Sequence, residues 1–136
     1  MCGTLNCKVL IALDFDETLV HADGRKEDFT ILAKLHQLGV ELCIVSRNDR
    51  YHLENQLNQL AIRSYFRYIL ADFRPKSYQL KHLLWLYEKM GCQFSKVLFV
   101  DDHLPNIMRV REDLPDIHCC QFGNDVHSLA DLIELV

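Results

Sequence analysis

A chain of 136 residues, 49% hydrophobic and 25% charged, has room for one domain with a real core but not for a catalytic domain plus a substantial second one. With a formal net charge of −4 and 15 scattered lysines and arginines, it lacks the footprint of a protein that holds nucleic acid by phosphate neutralisation, which argues against nucleic acid as a partner. No apolar run approaches the roughly 20 residues of a membrane span, and MCGTLNCK lacks the charged start and long apolar region of a signal peptide, so the expected setting is cytoplasmic, with no membrane partner.

Apolar runs alternate with amphipathic stretches, the pattern of a parallel sheet covered by helices. The first expected strand is Lys8 to Phe15. Asp23-Gly24 then marks a tight turn, so residues 17 to 26 read as a small hairpin or flap. Glu27 to Leu38 places Ile31, Leu32, Leu35 and Leu38 on one helical face, with Gly39 as the stop. VELCIVS (40 to 46) is the second strand, and Asn48 or Asp49 caps a helix to about Leu60. A short third strand at Tyr68 to Ala71 leads into the RPKS loop, which holds Lys76 and whose Ser77 is expected to cap a long helix to Met90. KVLFVDD (96 to 102) is the fourth strand, and a helix follows from about Pro105 to Asp113. A short strand in DIHCCQF and a helix from about Val126 to Leu135 complete the order.

In open parallel sheets ligands bind beyond the carboxyl ends of the strands, and the unusual residues fall there. Asp14 and Asp16 follow the first strand, Ser46 ends the second, Lys76 follows the third, and Asp101 and Asp102 end the fourth. Carboxylates gathered in one place repel one another unless a cation neutralises them. Mg²⁺ fits, because it takes hard oxygen ligands and leaves positions for water and a substrate phosphate. Lys76 as a point charge and Ser46 as a hydrogen-bond donor would cradle a phosphoryl group beside that ion. Alternation along an extended segment puts Asp14 and Asp16 on one side with Phe15 turned into the core. One carboxylate can then attack phosphorus, forming an aspartyl-phosphate that water hydrolyses, while Asp16, further from the metal, protonates the leaving oxygen and later deprotonates water. Taken singly, a D-x-D or a strand-end Asp is commonplace. Four such signals in order, each at a predicted strand end, are not.

With these residues the chain resembles the haloacid dehalogenase superfamily: DFDET (14 to 18) is similar to its D-x-D-x-T, IVS (44 to 46) to its strand-end Ser or Thr, Lys76 to its loop lysine, and VDD (100 to 102) to its acidic motif. The resemblance implies a three-layer α/β/α sandwich with a central parallel sheet and no cap domain, spanning residues 1 to 136. It implies Asp14 as nucleophile and Asp16 as acid/base. Mg²⁺ would be held by the Asp14 side chain, the Asp16 backbone carbonyl and Asp102, with Asp101 a further ligand or a residue behind them. The phosphate would be bound by Ser46, Arg47 and Lys76, with Thr18 and Asn106 in support; Asn106 stands where many members carry a second Asp. Asp at position 16 is similar to phosphatases rather than to P-type ATPases, which carry Thr there. The intervals from Thr18 to Ser46 and from Lys76 to Asp101 leave no room for a cap, so an open site is implied.

SRNDRYHLENQL, the PKS loop, FSKVLFVDDHLPNI and FGNDVHSLADLIEL most resemble the magnesium-dependent phosphatase branch, for which phosphotyrosine-type and glycated sugar phosphate substrates are implied. The expected partner is a phosphorylated substrate, either a small molecule or a phosphoprotein, and the oligomeric state is left open. Two other readings stand beside this one. The loose group Arg63, Arg67 and Arg74 would suit a macromolecule-directed phosphatase, acting on a phosphoprotein or a nucleic-acid phosphate end. PKS and FVDD also resemble acyl-carrier-protein-loading domains, which suggests a non-hydrolytic binding module. The six cysteines form no C-x-x-C pair and read as reduced structural thiols, with Cys2 and Cys7 the exposed ones. His103, beside the acidic motif, reads as a solvated loop residue.

Overall fold

The computed structural model describes residues 8–136; the expectations for Cys2, Cys7 and the start of the chain lie outside the described residues. Five parallel strands, β1 (Val9–Leu13), β2 (Glu41–Ser46), β3 (Tyr68–Ala71), β4 (Lys96–Asp101) and β5 (His118–Gln121), form one sheet in the order β3-β2-β1-β4-β5. Helices α1 (Thr30–Gln37), α2 (Arg50–Gln59), α3 (Lys76–Lys89) and α4 (Leu104–Asp113) connect them. The α/β architecture with a central parallel sheet is therefore the one expected.

Alternation along the strands divides the core in two. Ile11, Leu13, Ile44, Leu98 and Val100 pack with Leu32 and Leu35 of α1 and Leu53 and Leu57 of α2. Leu10, Ala12, Cys43, Val45 and Phe99 face Leu80, Leu83 and Tyr87 of α3 and Ile107 and Val110 of α4. Adjacent Cys119 and Cys120 fall in opposite halves, as a period of two requires. Ile11 and Leu13 are fully buried, so truncating either to alanine costs about 2–5 kcal/mol. Cys43, Cys92, Cys119 and Cys120 are buried, and burial pushes the Cys43 thiol up to about 12.

Helices α1, α2 and α3 end in the same motif. The N–H groups of Gly39, Ala61 and Gly91 reach His36, Asn58 and Glu88 carbonyls, and those of Val40, Ile62 and Cys92 reach Leu35, Leu57 and Tyr87. This double bond closes a helix only when the residue just past the end adopts positive φ, and these three do, at 83°, 60° and 78°. Ala61 is the one without glycine's freedom.

Four local expectations are corrected. Helix α1 begins at Thr30 rather than Glu27, because Asp28 accepts from the Thr30 N–H and hydroxyl in a turn, and Glu27 is drawn away to His21 and the Leu129 N–H. Pro75, not Ser77, occupies the cap position of α3; Lys76 is the first helical residue rather than a loop residue, and Ser77 lies buried within the first turn. The closing element, Leu129–Leu135, is a 3₁₀ helix, whose three-residue turn stacks Leu129, Leu132 and Leu135 on one face. A 3₁₀ turn at Arg63–Tyr65 was not expected at all. The hairpin of residues 17 to 26 does form, closed by a Val20–Lys26 antiparallel bridge with Gly24 at φ 89°. Between β1 and β2 the chain holds only this hairpin and α1. No helix among the described residues is long and apolar enough to cross a membrane.

Candidate active site

The connection from β1 runs to β2 on one side, while β4 pairs on the other, so β1 and β4 flank the point where the strand order reverses. Leu13 is in register with Val100, and the Asp14 N–H extends the ladder to the Val100 carbonyl at 2.9 Å. The next residues along the two strands, Asp14 and Asp101, are therefore brought side by side. Ligand oxygens of Asp14, Asp101 and Asp102 all lie within 4.8 Å of one another.

Lys76 joins this group from the first turn of α3. Its Nζ lies 3.0 Å from Asp14 Oδ1 and 2.8 Å from Asp101 Oδ2, and the lysine is only 2% exposed. Asp101, fully buried, also accepts from Asn106 Nδ2 at 3.0 Å and from the His103 N–H at 2.9 Å. Burial alone would raise its pKa, but Lys76 and these hydrogen bonds hold it below the usual carboxylate range. Asp14 is pushed up to about 7, chiefly by burial, with Lys76 opposing and Asp101 adding to the rise. Asp102 is raised as well, by burial and then by the neighbouring Asp101 charge. Asp101 is thus committed to holding Lys76 and the β4-α4 turn, while Asp14 and Asp102 keep oxygen capacity for an ion.

Ionising Asp14 and Asp102 beside Asp101 and Lys76 would leave two negative charges uncompensated in a partly buried pocket, which is the cost that raises both carboxyls. A divalent, oxygen-seeking cation matches that deficit in both charge and ligand chemistry.

The other expected residues are placed as follows. Asp16 is exposed and receives Asn48 Nδ2 at 3.4 Å, which sets it over the carboxyl end of β2. Ser46 is buried at the end of β2. Arg47 is exposed and lines a cleft with Lys76 and Asn106. Thr18 is fully buried under the hairpin; its N–H reaches the Phe15 carbonyl at 3.3 Å, and its hydroxyl has no partner among the described residues.

Two residues that sequence reasoning passed over hold the frame. Asn48, read as a possible cap, contacts Asp16, while Asp49 caps α2 by accepting from the His52 N–H. Gln79, 1% exposed, donates from Nε2 to the Ser46 carbonyl at 2.8 Å and to Asp72 Oδ1 at 3.0 Å. It ties the end of β2 to the loop that delivers Lys76. Its signal was available: a polar side chain on the face of α3 that carries Leu80, Leu83 and Tyr87.

A family model of haloacid dehalogenase-like hydrolases matches residues 25–111, and the chain belongs to that family. No curated protein matches the sequence. Among solved structures, the core domain of a candidate phosphoglycolate phosphatase from Streptococcus pneumoniae is similar at TM-score 0.70 and 18% identity, over 94% of each chain. The N-terminal, phosphatase-domain part of a Bacteroides fragilis protein, complexed with Mg, gives TM-score 0.70 at 16% identity, over 94% of this chain and 39% of that one. The 3-deoxy-D-manno-octulosonate 8-phosphate phosphatase of Moraxella catarrhalis, in complex with magnesium and phosphate ions, gives 0.57 at 20% identity, over 93% of this chain and 83% of that one. These likenesses establish the shared fold.

Proposed function

We propose that residues 1 to 136 form one catalytic domain, a Mg²⁺-dependent phosphomonoester hydrolase with an open, capless site. The observation that carries this reading is the buried Lys76 shared by Asp14 and Asp101, beside Asp102, at the switch point of the sheet. Structural ion pairs rarely bury one lysine between two acids with a third carboxyl beside them, whereas phosphoryl transfer needs this concentration of opposed charge.

Asp14 attacks the phosphorus, and the bond to the leaving oxygen breaks as the aspartyl-phosphate bond forms. Asp16, exposed beside Asn48, gives its proton to the leaving oxygen. It then takes a proton from water, which attacks the same phosphorus, releases inorganic phosphate and restores the Asp14 carboxylate. Lys76 holds Asp14 in place and, with Ser46 and Arg47, receives the phosphoryl oxygens. Mg²⁺, held by Asp14, Asp102 and the Asp16 backbone carbonyl, would supply the charge neutralisation that lets a carboxylate approach a phosphate dianion. Asn106 and Asp101 position Lys76, and Thr18 supports the hairpin beneath the site.

The substrate is a phosphorylated molecule in a cytoplasmic setting. Because only the hairpin and α1 stand between β1 and β2, the site admits a phosphoprotein as well as a small phosphoester.

Hydrolysis of p-nitrophenyl phosphate by the wild type and Asp14→Asn, each with Mg²⁺ and with EDTA, tests the reading. Turnover should vanish with EDTA and fall by on the order of 10³-fold or more in Asp14→Asn. An inert, folded, Mg²⁺-loaded wild type would overturn it and favour a binding module.

A further inference from the structure

Between the N-terminal turns of α3 and α4 lies a cleft of about 280 Å³, its lining including Arg47, Lys76, Ser77, Asn106 and Arg109. No carboxylate among the described residues lines it. Asp14 and Asp101 are engaged with Lys76, and Asp113 with Arg109. Arg47 has no ion-pair partner among the described residues. Asp113 accepts from Arg109 Nε at 3.0 Å and from the Ser77 side chain, which fixes both on the cleft wall. That single bond aims the Arg109 guanidinium and leaves its two terminal amines without a partner among the described residues.

The cleft therefore adjoins the group that holds the nucleophile; Arg47 brings a charge with no acid paired to it among the described residues, and Arg109, paired with Asp113 through Nε alone, keeps its terminal amines as donors. We propose that it is a second anion site for the leaving portion of the substrate, and that the preferred substrates are phosphomonoesters carrying a further carboxylate or phosphate. Arg109 is the specificity residue, because a guanidinium pairs a carboxylate or phosphate through two parallel donors. Arg47 stands between the two anionic groups. This inference rests on the phosphatase reading for the position of the first phosphate.

Non-hydrolysable probes separate the two. Binding of alkylphosphonates is compared by calorimetry, with Mg²⁺ present, with that of phosphonoalkanoates and alkane bisphosphonates of matched length, from two to four carbons. The wild type should bind at least one two-anion probe about ten-fold more tightly than its parent, a modest gain for a charge-assisted contact. Arg109→Gln should lose that advantage, and Arg109→Lys should keep part of it. Arg109 is 64% exposed, so neither change threatens folding. Equal affinities in the wild type at every length, or an advantage that survives in Arg109→Gln, would overturn the second site. A protein that shows the advantage but never hydrolyses a phosphoester would leave the second site standing and remove the phosphatase reading alone.

Discussion

Lys76 Nζ donates to Asp101 Oδ2 at 2.8 Å, and neither residue is more than 2% exposed. A pair so buried gains little net stability over apolar residues of the same volume, because desolvation consumes most of the attraction. Its position is better explained by what it does for Asp14, 3.0 Å away.

Lys76→Met removes one partner and strands Asp14 and Asp101 together. We expect unfolding free energy to fall by about 3–5 kcal/mol and p-nitrophenyl phosphate turnover to be lost. Adding Asp101→Leu should recover most of the stability without restoring turnover. Urea denaturation of the three proteins measures this; a double variant no more stable than Lys76→Met would show that the pair's cost had been misjudged.

The uncompensated charge at Asp14 and Asp102 predicts a response to metal that does not depend on turnover. At ten times its dissociation constant, Mg²⁺ should raise the unfolding free energy by about 1.4 kcal/mol. Asp102→Ala should abolish the increment. Thermal unfolding across a Mg²⁺ titration reads it directly, and a wild-type midpoint indifferent to the ion would refute the site.

Ala61 at φ 60° closes α2 where glycine closes α1 and α3. A Cβ in the left-handed region costs about 1–2 kcal/mol, and glycine's extra freedom in the unfolded chain gives back about 0.4–1. Strain relief is the larger, and Ala61 is exposed, so little packing is lost. Ala61→Gly should stabilise the protein by roughly 0.5–1 kcal/mol. A destabilised variant in guanidinium titration would contradict this balance.

Glu41 takes hydrogen bonds from Tyr87 and Arg67 across the edge of the sheet. Burial raises its pKa, but the Arg67 and Tyr87 contacts outweigh that and leave it below 4.5. A carboxyl depressed on folding adds stability above its unfolded pKa and loses it as pH falls through the folded value. The advantage of wild type over Glu41→Gln should thus be full at neutral pH and shrink below about pH 4.5. A gap in urea midpoint that stays constant from pH 7 to pH 3 would rule it out.

The element order, the parallel sheet and the acidic strand ends were all readable, because each depends on neighbours a few residues apart. Strand periodicity separated Cys119 from Cys120, and apolar spacing together with cap and proline signals located the four α-helices. Boundaries failed where a side chain made a long-range bond: α1 starts late because Glu27 is taken by His21 and, 102 residues away in sequence, by Leu129. Nor did an apolar spacing of three at Leu129, Leu132 and Leu135 distinguish an α-helix from a 3₁₀ helix.

By itself, the sequence determined which chemistry was present: two carboxylates after the first strand, a lysine after the third, two carboxylates at the end of the fourth. Only the tertiary structure decided how that chemistry is shared. Because β1 and β4 pair in register, Asp101 sits against Lys76 and behind Asp14, and Asn106 and the His103 N–H complete its bonding. Because α3 buries one face against the sheet, Gln79 is turned inward to lock Ser46 to Asp72. Strand ends can be read along a chain; which strand lies beside which, and so which charges must neutralise one another, is set by packing between residues that are distant in sequence.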